Sequence, residues 1–309
     1  MGENLDRTDR DTTSEPSVCV MTLSWNDAQN TVECLRSVHQ LDYGRYRVLV
    51  VDNGSSEDTI QGIRDAFPKV ELIVNPSNLG FGGGANVGFE RAQEHGVDYV
   101  LFINNDTIVA PGLLRALIGA ARTYPRAGLL VPKIYYGTPQ DAPRRVWAAG
   151  ARWAAFPPRV KMVGRGRRDH PRYDRPKRLD FATGCALLVR RQVLETVGGF
   201  DPIYWPAYQE DYDFAARVTK AGWEIRYVPA AQLWHKEARS RQQVGARNKA
   251  YNLGKNTVPF FARHFSLTTL WAHVAWVVLR EAAKMNWPFV GPYLAGVRIG
   301  WANRSGEAR

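Results

Sequence analysis

The sequence has only three cysteines, Cys19, Cys34 and Cys185, and no CxxC pair. That excludes a disulfide framework and offers no zinc site. Buried, reduced thiols of a cytoplasmic protein are the expectation. It also lacks an apolar run of the ~20 residues that span a bilayer; the best candidate, Leu270 to Leu279, is roughly half that length. Met1 to Ser17 has no apolar run either. It reads neither as a signal peptide nor as an anchor, and residues 1–16 are expected to form a disordered leader. Acidic residues are in deficit: 30 Asp and Glu face 41 Lys and Arg, a net charge of +11. The excess favours an anionic partner, whether nucleic acid, an acidic membrane surface or a phosphorylated substrate, without choosing among them.

What is present suits a globular enzyme. A chain of 309 residues with 45% hydrophobic content can bury a substantial core. From Val18 onward, strand and helix signals alternate. Apolar runs at 18–23, 46–51, 70–74 and 99–103 read as strands. Helices are expected between them, around Val32 to Val38 with Asn26 or Asp27 as the cap, Ile60 to Phe67, and Gly82 to Ala92. A further helix is expected to open at Pro111. This order implies an α/β fold with a mostly parallel central sheet flanked by helices, whose ligands bind beyond the carboxyl ends of the strands. The polar clusters at 52–55 and 104–106 lie at such ends.

The pattern breaks between about 132 and 180. A short strand is expected at 146–149, then a segment dense in Arg, Lys and Pro at 159–178. This segment reads as a basic mobile loop, and its functional reading is a loop that meets phosphates. Strands at 181–189 and 224–228 flank a helix, the turn Gly198-Gly199-Phe200-Asp201 and a second helix over 209–220 with an acidic start. From residue 239 the chain turns helical and rich in Trp, Arg and Lys. Leu267, Leu270, Trp271, Val274 and Val278 share one helix face there.

Four features carry chemistry. Asp106 stands at a strand end, where a carboxylate can hold a hard cation against a diphosphate or cap the next helix. Glu210 and Asp213 share a helix face while Asp211 points elsewhere, so the three carboxylates do different jobs. One can serve as a general base and the others can pair with Arg or Lys. The run Asn78 to Asn86 is glycine-rich and opens a helix, but it follows the third strand and has Asn86 where a dinucleotide fingerprint has glycine. His235 is either structural or a neutral metal ligand.

In order and spacing these features resemble the family 2 glycosyltransferases of the GT-A fold, especially bacterial rhamnosyltransferase-like members. The matching stretches are Val18 to Asn26, Val50 to Ser56, Asn78 to Asn86, Leu101 to Asp106, Phe181 to Arg190, Gly198 to Asp201, Gln209 to Asp213 and Arg217. The resemblance spans roughly residues 17–262. It implies a GT-A catalytic domain over 17–238 and a C-terminal helical extension over 239–309. It implies donor binding by Ser24, Trp25, Asn26, Asp52, Asn53, Asn78, Gly80, Asn86, Asn104, Asn105 and Asp106, with Asp52 accepting the base imide N–H. It implies a divalent metal, Mn²⁺ or Mg²⁺, on Asp106 and His235, and catalysis by Asp211 as base beside Glu210. Gly184, Trp205 and Tyr208 would shape the acceptor site. Asn104 departs from the Asp-x-Asp pattern and leaves the metal one carboxylate short.

The reaction implied is an inverting transfer from a nucleotide-diphosphate sugar, best matched by dTDP-L-rhamnose, to a glycan or polyprenyl-diphosphate-linked acceptor in cell-wall or polysaccharide assembly. UDP-galactofuranose and UDP- or GDP-hexoses stay open as donors. A nucleotidylyltransferase would need a Gly- and Arg-rich loop where Ser24-Trp25-Asn26 stands. A non-catalytic sugar-binding module sits poorly with Asp106, Asp211 and His235 together. Nucleic acid is not expected, because the 159–178 segment has no interleaved aromatics apart from Tyr173. Trp271, Trp276, Trp287 and Trp301 among Arg280, Lys284 and Arg298 suit peripheral contact with the inner face of an anionic membrane, a helical cap, or a homodimer contact.

Overall fold

The computed structural model describes residues 15–237 and 245–304. Most of the leader expected over 1–16, and the change of character expected at 238–239, lie outside the described residues. Within them, β1 (Val18–Ser24), β2 (Tyr46–Asp52), β3 (Glu71–Val74) and β4 (Tyr99–Asn104) form a parallel set in the order β4-β1-β2-β3. The intervening helices are α1 (Ala28–Val38), α2 (Glu57–Ala66) and α3 (Gly80–Glu94). Apolar side chains point to both faces of these strands, as a sheet covered on both sides requires. In β1, Cys19 and Met21 join the core under α3, while Val18 and Val20 join the core under α1. The glycine-rich start of α3 serves this packing. A Cβ on Gly88 would lie 2.2 Å from the Met21 side chain.

Beyond β4 the sheet becomes mixed. β5 (Thr107–Val109) precedes α4 (Leu113–Thr123), β6 (Ala127–Tyr136) and β7 (Val146–Ala148). Pro111 lies just outside α4, which takes Gly112 as its cap. After the hairpin of β8 (Ala151–Ala154) and β9 (Arg159–Met162) come β10 (Lys177–Leu179), β11 (Ala186–Arg190), α5 (Arg191–Val197), α6 (Glu210–Lys220) and β12 (Glu224–His235). The full order is β10-β12-β6-β11-β4-β1-β2-β3. β11 runs antiparallel to both β4 and β6, and β12 runs parallel to β6.

Three sequence expectations are corrected here. The break expected from 132 is instead the continuation of β6, a ten-residue strand that is buried almost throughout. It contains Pro132, which sits beside a register shift in β12 where a missing N–H is tolerated. It also contains Lys133, fully buried and neutralised by Asp169 and Asp174. The segment 159–178 is not an irregular loop. It carries β9, a 3-10 turn at Pro171–Tyr173 and the start of β10, pinned by those two aspartates and by Tyr173, whose carbonyl accepts the Tyr227 hydroxyl. Finally, the last strand runs on to His235 rather than ending at Val228.

The chain ends in α7 (Ala246–His264), α8 (Leu267–Ala283) and α9 (Trp287–Arg304). α7 and α9 pack backbone against backbone. A Cβ on Gly296 would lie 2.0 Å from the Tyr251 carbonyl oxygen, and one on Gly254 the same distance from that of Tyr293. In α8 the expected face divides. Leu270 and Val274 are buried, whereas Leu267 and Trp271 are exposed. Among the described residues, no helix is long and apolar enough to cross a membrane.

Candidate active site

The carboxyl ends of β1, β2 and β4 open on one cleft of about 220 Å³. Trp25, Asn53, Asn78, Gly80, Asn104, Asn105 and Tyr208 line it, as do Phe81 and Asn252. The loop between β3 and α3 is held by Asn53. Its amide donates to Asn78 Oδ1 and the Gly80 carbonyl, and its oxygen accepts from Asn75 and the Leu79 amide. Gly80 has φ +77°, and a Cβ there would meet Trp205 and Pro206 at 2.7 and 2.8 Å. Only glycine lets the 205–206 loop close over the cleft at this point.

Several residues expected at the donor do not line this cleft. Ser24 is fully buried and accepts from Thr31. Asp52 is fully buried and caps the following turn, accepting from the Ser55 amide and hydroxyl. Asn26 is spent across the same turn, on the Ser55 hydroxyl and the Ser56 amide. Asn86 faces away, exchanging two hydrogen bonds with the backbone of Phe200. These are scaffold contacts made by polar residues in a strand-end motif, where sequence alone does not separate scaffold from ligand.

Asp106 and His235 are buried and do not line this cleft, although Asn104 and Asn105 do. β5 pairs antiparallel with the end of β12, setting Thr107 opposite His235. The Lys236 amide donates to the Asp106 carbonyl. Asp106 Oδ1 and His235 Nε2 stand 3.0 Å apart, each side chain about 5% exposed. The Trp147 ring packs edge-on against the imidazole at 4.7 Å. Among the described residues, no group of three or more His, Cys, Asp or Glu could hold a metal. The pair nevertheless fits one. Two ligands each 2.0–2.1 Å from an octahedral Mg²⁺ lie about 3 Å apart when adjacent, and such ions take one or two protein ligands plus phosphate oxygens and water.

A second cleft, of about 390 Å³, meets the first at Tyr208 and contains Glu210 and Asp211. Asp211 Oδ2 accepts from the Gly184 amide at 2.8 Å and Oδ1 from its neighbour Tyr212 at 2.8 Å. Gly184 reaches it because β11 enters the sheet antiparallel beside β4, with the Asn104 amide donating to the Cys185 carbonyl. Burial raises the Asp211 carboxyl to about 6, although those backbone donors oppose the rise. Glu210 is raised well above the usual range by burial and by the charge of Asp211, and among the described residues its Oε2 has no hydrogen-bond partner. Burial and mutual repulsion therefore disfavour two charges on the pair, and the backbone donors favour placing a charge on Asp211. Asp213 is a structural anion. It bonds Arg217, Arg263, His264 and the Tyr204 hydroxyl. Trp205 is 56% exposed on the loop that leads to α6 and lines neither cleft.

The residues before Asp211 are strained. Tyr208 and Gln209 have φ of +83° and +74°, unusual for side chains with a Cβ. α7 holds them. Asn256, fully buried, donates to the carbonyls of Tyr204, Ala207 and Tyr208, and Gln209 donates to Thr257. Sequence reading missed Asn256 and Thr257. Their signal was a pair of polar residues beside Val258, Phe260 and Phe261 on the buried side of an amphipathic helix.

Comparison with known proteins agrees with this geometry. Residues 18–198 match the model for glycosyl transferase family 2. The chain is 32% identical over 277 residues to an N-acetylglucosaminyl-diphospho-decaprenol L-rhamnosyltransferase of Mycobacterium tuberculosis, covering 79% of this chain and 80% of the relative. It is 26% identical to a pre-mycofactocin glycosyltransferase of the same organism, covering 78% of this chain but 46% of that protein. Among solved structures, it resembles GalNAc-T7 bound to UDP, GalNAc and Mn²⁺, with a TM-score of 0.62 and 15% identity over 85% of this chain and 57% of that one. It also resembles the mannosyltransferase PcManGT of Pyrobaculum calidifontis bound to GDP-Man and Mn²⁺, with a TM-score of 0.56 and 16% identity over 94% and 89%. The two structures share the fold.

Proposed function

The chain belongs to glycosyl transferase family 2, and on that premise we propose that it is an inverting enzyme moving L-rhamnose from dTDP-L-rhamnose to a sugar on a polyprenyl diphosphate. The 32% identity over most of both chains supports this donor and acceptor. The observation that carries the mechanism is the buried Asp211 carboxyl, which accepts from two backbone amides beside Glu210 at the cleft.

In this reading the nucleotide lies in the cleft of Trp25, Asn53, Asn78 and Asn105, with the Trp25 ring against the base. The acceptor sugar lies in the adjoining cleft, with Tyr208 between the two. Asp211 takes the acceptor hydroxyl proton as the oxygen attacks the anomeric carbon from the face opposite the leaving group, and configuration inverts. Asp106 and His235 would hold a divalent metal, which supplies charge neutralisation for the departing nucleoside diphosphate. Glu210, uncharged, lets Asp211 keep its charge without a second anion beside it.

Seven of the large apolar side chains exposed to solvent, Leu267, Trp271, Leu279, Met285, Trp287, Leu294 and Ile299, lie on α8, α9 or their connection. Together with Arg280, Lys284 and Arg298 they support contact with an anionic membrane surface, where a polyprenyl acceptor resides. Incubation with a panel of nucleotide sugars and a GlcNAc-diphospho-prenyl acceptor tests the reading. Rhamnosyl transfer from dTDP-L-rhamnose is expected. Cleavage of another donor in preference would replace the sugar assignment, and no cleavage of any donor would remove the transferase mechanism.

A further inference from the structure

The cleft that contains Asp211 has both cationic and apolar lining. Four cations line it, Arg159 and Arg165 from β9 and the turn after it, Lys249 from α7 and Arg280 from α8. The carboxyl groups lining the same cleft are Glu210 and Asp211, and burial beside Asp211 disfavours the charged form of Glu210. The Arg159 and Arg280 guanidinium groups lie 4.6 and 4.4 Å from the same ring, that of Trp276. Arg280 is paired with Glu281, and Arg165 with Glu237. The hydrogen bond of Arg159 goes to the Pro157 carbonyl, and among the described residues it has no carboxylate partner. The Arg159 and Arg280 guanidinium groups both line the cleft, so an anion bound there is attracted by each. Leu253, Phe260, Val277 and Phe289 supply apolar lining beside these cations.

We infer that this cleft binds the diphosphate and the first isoprene units of a prenyl diphosphate acceptor, with Arg159, Arg165, Lys249 and Arg280 on the diphosphate and the α7–α9 wall on the chain. The inference rests on the transferase reading above and assigns that reading's acceptor a site. Guanidinium groups suit phosphate oxygens because their forked donors bind them in pairs. The donor's own diphosphate lies on the other side of Tyr208, near Asp106 and His235, so it does not account for these four cations. The arrangement also gives the C-terminal helices a part in substrate binding as well as in support.

The test uses the full chain. Farnesyl diphosphate, farnesol and inorganic pyrophosphate are titrated by calorimetry against the wild type, the double variant Arg159→Gln/Arg280→Gln, and the charge-retaining Arg159→Lys/Arg280→Lys. Farnesyl diphosphate is expected to bind the wild type at least tenfold more tightly than farnesol or pyrophosphate. It should lose about tenfold or more in the Gln variant, as for loss of charge-assisted hydrogen bonds, and less in the Lys variant. With a GlcNAc-diphospho-prenyl acceptor, the acceptor KM should rise at least tenfold more than the donor KM. Equal binding of farnesyl diphosphate to wild type and the Gln variant overturns the inference, and so does a rise confined to the donor KM. Donor hydrolysis by the wild type without acceptor reports the transferase reading separately, so the two can fail independently.

Discussion

The Asn256 side-chain amide donates to the Tyr208 carbonyl at 2.9 Å, and so a helix outside the sheet holds the backbone two residues before Glu210. The same amide reaches Tyr204 and Ala207. The two clefts meet at Tyr208. Its left-handed backbone, and that of Gln209, persist because α7 over-determines them.

Replacing Asn256 with Ala should therefore lower kcat by about tenfold to a hundredfold, the scale of a small misplacement of a catalytic group. Donor KM should change much less, since the Asn53 network does not touch Asn256. Stability should fall by about 1–3 kcal/mol from the unsatisfied carbonyls. Steady-state kinetics with urea unfolding separates the two effects. A variant with normal kcat and reduced stability would make Asn256 structural only.

Asp211→Asn should reduce transfer by at least about a hundredfold while nucleotide binding survives. The base must be ionised to act, and its carboxyl is raised to about 6 by burial. Wild-type kcat/KM should accordingly fall as pH drops through about 6 and level off above it. A flat profile from pH 5 to 8 would remove Asp211 as the titrating base.

Asp106 and His235 would supply two ligands to a divalent metal, too few to hold Mg²⁺ or Mn²⁺ firmly unless phosphate oxygens and water completed the shell. Mn²⁺ should raise the melting temperature clearly when dTDP is present and little when it is absent. His235→Ala should abolish that synergy, and a chelator should stop transfer. Tight Mn²⁺ binding without nucleotide would contradict a shared site.

Asp213 makes a different pH prediction. Burial pushes its carboxyl up, but hydrogen bonds from His264 and Arg217 outweigh this and hold it at about 2. Its folded value lies below the unfolded value of about 3.9. The stabilisation is therefore complete above about pH 4 and is lost as pH falls toward 2, on the order of 2 kcal/mol in all. Urea midpoints measured from pH 6 to pH 2.5 should drop less steeply in Asp213→Asn than in the wild type. Parallel curves would remove Asp213 from the acid response.

The sequence by itself determined the central parallel strands. Their runs are apolar on both faces, and a strand buried on both sides is the state that satisfies them. It also marked α6 by its acidic start, and Asp106 by its place at a strand end. Tertiary structure decided what local patterning could not carry. Glu210, Asp211 and Asp213 sit within one turn, yet only packing separates a buried carboxyl beside another, a carboxyl held by backbone amides and a buried ion-pair partner, because their environments come from β11, α7 and the 205–209 loop. β6 was hidden by Pro132 and Lys133, whose costs are met by a register shift in β12 and by two aspartates more than thirty residues away. Asp52, Asn26 and Asn86 read as ligand contacts until their partners were visible. Asp106 was legible as a possible metal ligand, but its pairing with His235 rests on a β5–β12 contact between residues far apart in the chain.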